Sequence, residues 1–264
     1  MKNFAQFKLA IRNRETSFYA FLYEIAKKIK SLSVPVVPKV HSFLYNEWDI
    51  RTRLWHEFWR IIYYEPIFKS QCVTVGSNFK MEYAGNGTTR VLGCLNMYFG
   101  SNVTIFDNTM LIGQKVFDHP ELYIGDNTYI GPRVSINVAK KVLIGRNCMI
   151  TSLIITDNPG HPVDNVISRL KSGGGSPHPD SIRPVSIGDF CFLALNSVVY
   201  PGTTVGDGVV ARIGTHLSKS VPPFCLVGGN PWKIIKKLPI PEELRSIVGD
   251  ERFESYLEVH KNIN

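Results

Sequence analysis

The sequence predicts a mainly β chain wound into a three-sided prism, and three observations carry that expectation. From Ile187 to Leu217 an aliphatic residue, or once an alanine, returns at every sixth position: Ile187, Leu193, Val199, Val205, Ala211 and Leu217. Four residues after each stands a compact side chain: Cys191, Ser197, Thr203, Val209, Thr215 and Val221. Glycines recur between them, where tight corners are expected. A helix repeats every 3.6 residues and a half-buried strand every two, so neither sustains a period of six. A chain that turns a corner every sixth residue does. Three short strands then make one coil, and successive coils stack at an inter-strand spacing of about 4.8 Å.

Taken in order, residues 3 to 30 predict a helix, because Phe4, Phe7 and Ile11, then Phe18, Phe21, Leu22, Ile25 and Ile29, recur at helical spacing between Lys and Arg. Pro35 and Pro38 end it. A second helix is expected from Leu44 to Ile62. This aromatic, basic segment has two expected destinations: the end or flank of the prism, or the interface of an anionic membrane through residues 1–62. From about Val75 the period of six appears in degraded form through Met81, Ile105, Leu111, Ile124, Ile130, Ile136, Ile144 and Ile150. Insertions that preserve the phase are corner loops, the usual carriers of function in a repeat protein. The largest follows Thr156 and ends before Val185, long enough to call for a functional explanation. Pro241 to Val248 and Glu251 to His260 predict short terminal helices. Three parts result: a helical extension (1–70), the prism (71–231, with a loop at 157–184) and a helical tail (232–264).

Composition narrows the partners. A net charge of +8 and a pI near 9.2 favour a polyanionic ligand. The aromatics interleaved with the basic C-terminal run are too few for a base-stacking platform, so no nucleic-acid partner is expected. Five cysteines, an odd number without a CxxC pair, read as reduced packing residues of a cytoplasmic protein. No signal peptide and no membrane span are expected from the sequence, which leaves the cytoplasm or the inner face of its membrane as the expected location.

Three segments resemble one family: IGRNCMITSLIITDNPGHPVDNVISR, then RPVSIGDFCFLALNSVVYPGTTVGDGVVARIGTHLSKSVPP, then GGNPWKIIKKL. Across roughly residues 66 to 238 the chain is similar to the hexapeptide-repeat acyltransferases, whose members include maltose and galactoside O-acetyltransferases. The resemblance implies a left-handed parallel β-helix, a homotrimer with sites shared between prisms, and acetyl-CoA as acyl donor. It implies acetyl transfer to a hydroxyl of a sugar or surface-glycan precursor, directly within a ternary complex.

The resemblance places the general base at His161, since neutral imidazole takes a proton near working pH. Asp157 and Asn158 would orient that imidazole, hold the acceptor or simply make a turn. Asp164 and Arg169 would fix the loop or meet the acceptor, and Arg133 stands where maltose-type members carry an acceptor-binding Asn. The Leu193–Ala194–Leu195 turn would supply an oxyanion donor. Coenzyme A is expected on Ala194, Ile213, Ser218, Lys219, Lys233 and Lys236. No metal is expected, because the seven histidines lack the paired spacing of a zinc site. Acetylation of an amino sugar or xenobiotic amine is the alternative activity, and a non-catalytic scaffold the more distant one.

Overall fold

The computed structural model describes residues 3–83, 88–163, 166–171 and 176–263. It divides into two units, Met1–Trp55 and His56–Asn264.

In the first unit the single helix expected over 3–30 is a pair, α1 (Phe4–Arg12) and α2 (Ser17–Ser31). Asn3 and Gln6 form a reciprocal capping box on α1. Arg14 takes a left-handed backbone (φ 53°), and Thr16 Oγ1 accepts the Tyr19 N–H at 3.2 Å to start α2. Cap and turn together outweigh the continuous apolar spacing. Phe7 meets Tyr19 edge-on at 5.8 Å, and Arg14 lies 3.6 Å from Glu24, so the two helices form a hairpin. α3 (Pro38–Trp59) starts earlier than the expected Leu44, with Pro38 at its first position, where a missing N–H is harmless.

In the second unit a π-helical turn, Arg60–Tyr64, leads into α4 (Glu65–Lys69) and the prism. Its first face stacks Thr74–Val75, Asn96–Phe99, Glu121–Ile124, Lys141–Ile144, Val185–Ile187 and Thr204–Val205. The second stacks Lys80–Glu82, Thr104–Phe106, Tyr129–Ile130, Met149–Ile150, Phe192–Leu193, Val210–Ala211 and Cys225–Gly229. The third stacks Arg90–Leu92, Met110–Gly113, Ser135–Val138, Ile154–Thr156, Val198–Val199 and His216–Leu217. Pairing is parallel throughout these stacks, and the register places like on like. On the first face Phe99, Ile124, Ile144, Ile187 and Val205 form one inward column. The six-residue series from Ile187 to Leu217 is wholly buried, as its period requires.

The compact second position also bonds to the next coil. Thr128 Oγ1 donates to Gly145 O at 2.8 Å, Cys148 Sγ to Gly188 O at 3.1 Å and Cys191 Sγ to Gly206 O at 3.2 Å. Asp126, Asp189 and Asp207 form a second ladder, each accepting a backbone N–H from the coil before it.

Both ends of the prism are covered. At the first coil Phe68 of α4 stacks on Phe79 at 5.5 Å, and Glu65 accepts the Met81 N–H at 3.3 Å. At the last, Trp232–Lys237 pairs antiparallel with Cys225–Gly229. That segment, expected within the helical tail, is a strand because Trp232 and Ile234 pack on the prism core while its backbone extends the second face. The tail then holds α6 (Arg245–Val248) and α7 (Asp250–Lys261), after α5 (Val166–Lys171) in the long loop. Phe253 and Tyr256 of α7 pack with Phe224 and Leu244. Gly208 permits this, since its φ is +64° and a Cβ there would stand 2.5 Å from the Phe224 ring.

Candidate active site

The long loop leaves the prism at the corner between its third and first faces, directly after Ile154–Thr156. Asp157 begins it and is fully buried. Its carboxylate accepts the N–H of Ala139 at 2.7 Å, Lys140 at 2.7 Å and Lys141 at 2.8 Å. The same carboxylate accepts the Asn158 side-chain amide at 2.9 Å. Asp157 thus closes the corner of the preceding coil and does not reach outward toward an acceptor.

Asn158, 1% exposed, turns the chain: its Oδ1 accepts the Gly160 N–H at 2.9 Å, and Gly160 has φ +80°. His161 follows, exposed at the surface of the loop. Beyond it, Arg169 of α5 donates from one guanidinium nitrogen to Pro162 O at 2.9 Å and Val163 O at 3.0 Å. The imidazole is therefore carried between two fixed points, a buried Asx turn before it and an arginine clamp after it. Asp164, expected in this cluster, lies outside the described residues.

A second set of expected residues meets at the corner between the second and third faces. Ala194 and Ile213 line a groove of about 650 Å³ with Phe192, Arg212, Gly228 and Ile235. Its wall is mostly apolar and its volume suits a small-molecule arm. Gly228 keeps it open, because a Cβ there would meet Ile235 Cδ1 at 2.8 Å. Lys233 and Lys236 are exposed on the strand that supplies Ile235. Arg133 lies on the same edge, exposed, with φ +58°, and lines a cleft of about 590 Å³ with Ser152, Leu195 and Asn196. The Ala194 N–H is given to Ala211 O at 3.1 Å, so it belongs to the coil ladder and is no oxyanion donor. Arg212, Gly228 and Ile235 were not anticipated. Arg212 was findable, standing one place before Ile213. No group of three His, Cys, Asp or Glu among the described residues is placed to hold a metal ion.

No family model matches the chain. The galactoside O-acetyltransferase of Escherichia coli is 27% identical over 177 residues, 66% of this chain and 68% of that one. Over that span the chain is similar to a sugar O-acetyltransferase. An acetyltransferase candidate of Saccharomyces cerevisiae is 31% identical over 117 residues, 44% of this chain and 56% of its own, so the chain spans little more than half of that relative. Among solved structures, a variant of AntD, an N-acyltransferase from Bacillus cereus, has a TM-score of 0.51 at 16% identity, covering 74% of this chain and 95% of that one, a likeness of fold.

The distribution of side chains over the prism is informative. His161, Asp157, Asn158 and Arg169 share the third-to-first edge with Ser218 and Lys219, which follow the last third-face strand, His216–Leu217. Arg133, Ala194 and Ile213 share the second-to-third edge. A side of six residues separates the two edges, on the order of 15–20 Å at the rise of a strand.

Proposed function

We propose that the chain transfers an acetyl group from acetyl-CoA to a hydroxyl of a sugar or a surface-glycan precursor, with His161 as general base. The observation that carries this reading is an exposed His161, held between a buried Asx turn and the Arg169 clamp, on a prism that also bears a mostly apolar groove of about 650 Å³. The galactoside O-acetyltransferase relative supports a hydroxyl acceptor. Imidazole nitrogen takes the acceptor's hydroxyl proton as the oxygen attacks the thioester carbon. The tetrahedral intermediate collapses with cleavage of the C–S bond, and the departing thiolate takes the proton from the imidazolium. The Leu195 amide, one residue beyond the Ala194 ladder bond, is the oxyanion donor in this reading.

Because base and groove stand on different edges, the site is completed by a neighbouring copy, with the histidine edge of one prism facing the groove edge of the next in a trimer. Ser218 and Lys219 then come from the histidine's copy, and Lys233 and Lys236 from the groove's copy, to meet the phosphates of coenzyme A. The test is thiol release from acetyl-CoA with a panel of sugar hydroxyls and amino sugars. His161→Ala lowers kcat by about 10²–10⁴-fold with little change in the acetyl-CoA KM. Absence of thiol release with every hydroxyl and amine acceptor overturns the assignment, and release at the wild-type rate by the alanine variant removes His161 as the base.

A further inference from the structure

The first unit takes no part in the chemistry above, yet it carries most of the protein's charge imbalance. Residues 1–55 hold ten Lys and Arg against four Asp and Glu, within a chain of net charge +8. On α2 the residues Phe18, Phe21, Ile25 and Ile29 share one helical face and are 62%, 61%, 38% and 61% exposed. No residue of α2 is buried. Phe4 of α1 is 73% exposed, with the Lys8 ammonium 4.5 Å from its ring centroid. Lys27, Lys28 and Lys30 flank the apolar face on the last turns of α2. Long basic side chains beside an apolar stripe can bury their stems while their charges stay at headgroup level. No helix among the described residues is long and apolar enough to cross a bilayer.

We propose that the α1–α2 hairpin is an interfacial anchor for an anionic bilayer, lying in the headgroup region with Phe18, Phe21, Ile25 and Ile29 turned into the acyl boundary. The charge selects this occupant. A second copy of the hairpin would bring like charge against like, whereas anionic headgroups neutralise the lysines as the aromatic face buries. The anchor is independent of the acetyl-transfer reading, and it would hold the enzyme against membrane-bound acceptors.

The test uses the full chain, sedimented with vesicles of phosphatidylcholine alone or mixed with phosphatidylglycerol. Co-sedimentation with the mixed vesicles, weak binding to the neutral ones and release by high salt are the expected results. Replacing Lys27, Lys28 and Lys30 by Glu weakens partition by roughly 100-fold or more. Replacing Phe21, Ile25 and Ile29 by Ser abolishes it at low salt as well, and circular dichroism confirms that the helices persist. Equal binding to both vesicle types, or binding unchanged in the lysine variant, overturns the proposal. So does an apolar-face variant whose only change is the oligomeric state seen by ultracentrifugation.

Discussion

Asp157 secures one corner of the prism with a single carboxylate, and that sets what its removal does. Its three backbone donors at Ala139, Lys140 and Lys141 are in the coil below, and each donor left unanswered in a buried site costs about 1–3 kcal/mol. Asp157→Ala therefore lowers unfolding free energy by about 3 kcal/mol or more in urea titration, and Asp157→Asn, which keeps one acceptor oxygen, lowers it less. A residue serving only the reaction would leave that midpoint unmoved. Thr128→Val is a smaller case, removing the donor to Gly145 O and the acceptor of the Cys148 N–H for about 2 kcal/mol. The compact positions were legible from spacing alone, since Thr128, Cys148 and Cys191 hold the same place in successive coils. Asp157 was not legible in its structural role: it precedes His161 in sequence, and its partners lie sixteen to eighteen residues earlier, where linear motifs do not reach.

At the scale of elements, α7 is tied to the Asp ladder by two side chains. Arg252 reaches Asp189 at 2.9 Å and Asp207 at 2.7 Å, and the Tyr256 hydroxyl donates to Asp207. Burial pushes the Tyr256 phenol above its usual value near 10, and the hydrogen-bonded Asp207 carboxylate pushes it further. The folded state therefore holds that proton more tightly than the unfolded chain. The stability it contributes is complete below pH 10 and is lost as pH rises toward the raised value. Half-buried Cys72, whose partial desolvation pushes its thiol up to about 12, acts in the same direction. Thermal melts should show stability falling above pH 9–10, with a shallower fall in Tyr256→Phe. The terminal helices were readable from their apolar spacing and Pro241. Trp232–Lys237 was not, because the run Lys233–Ile234–Ile235–Lys236–Lys237 lacks the strict alternation of a strand and suits a basic helix as well, and only the free edge at Cys225–Gly229 decides between them. The break at Arg14 was equally hidden, with no proline or glycine to mark it.

For the whole molecule, the proposed function would make catalysis a property of the assembly, because His161 and the groove stand on different edges of the prism. Mixed refolding of His161→Ala with Gly228→Trp, which fills the groove, should restore up to a fraction of wild-type activity, because some interfaces then pair an intact histidine with an open groove. No recovery, with both variants trimeric by ultracentrifugation, would place base and cofactor on one chain. The prism itself was legible because nearly every inward position is aliphatic; its first coils were less so, where Met81 and Phe99 replace Ile and Val. The two covered ends have a consequence of their own. Phe68 and Phe79 shield the apolar core of the first coil, and Trp232–Lys237 takes the edge of Cys225–Gly229 at the last. A copy adding to that end would meet a strand bearing Lys233, Lys236 and Lys237, and such a charged edge discourages end-to-end pairing.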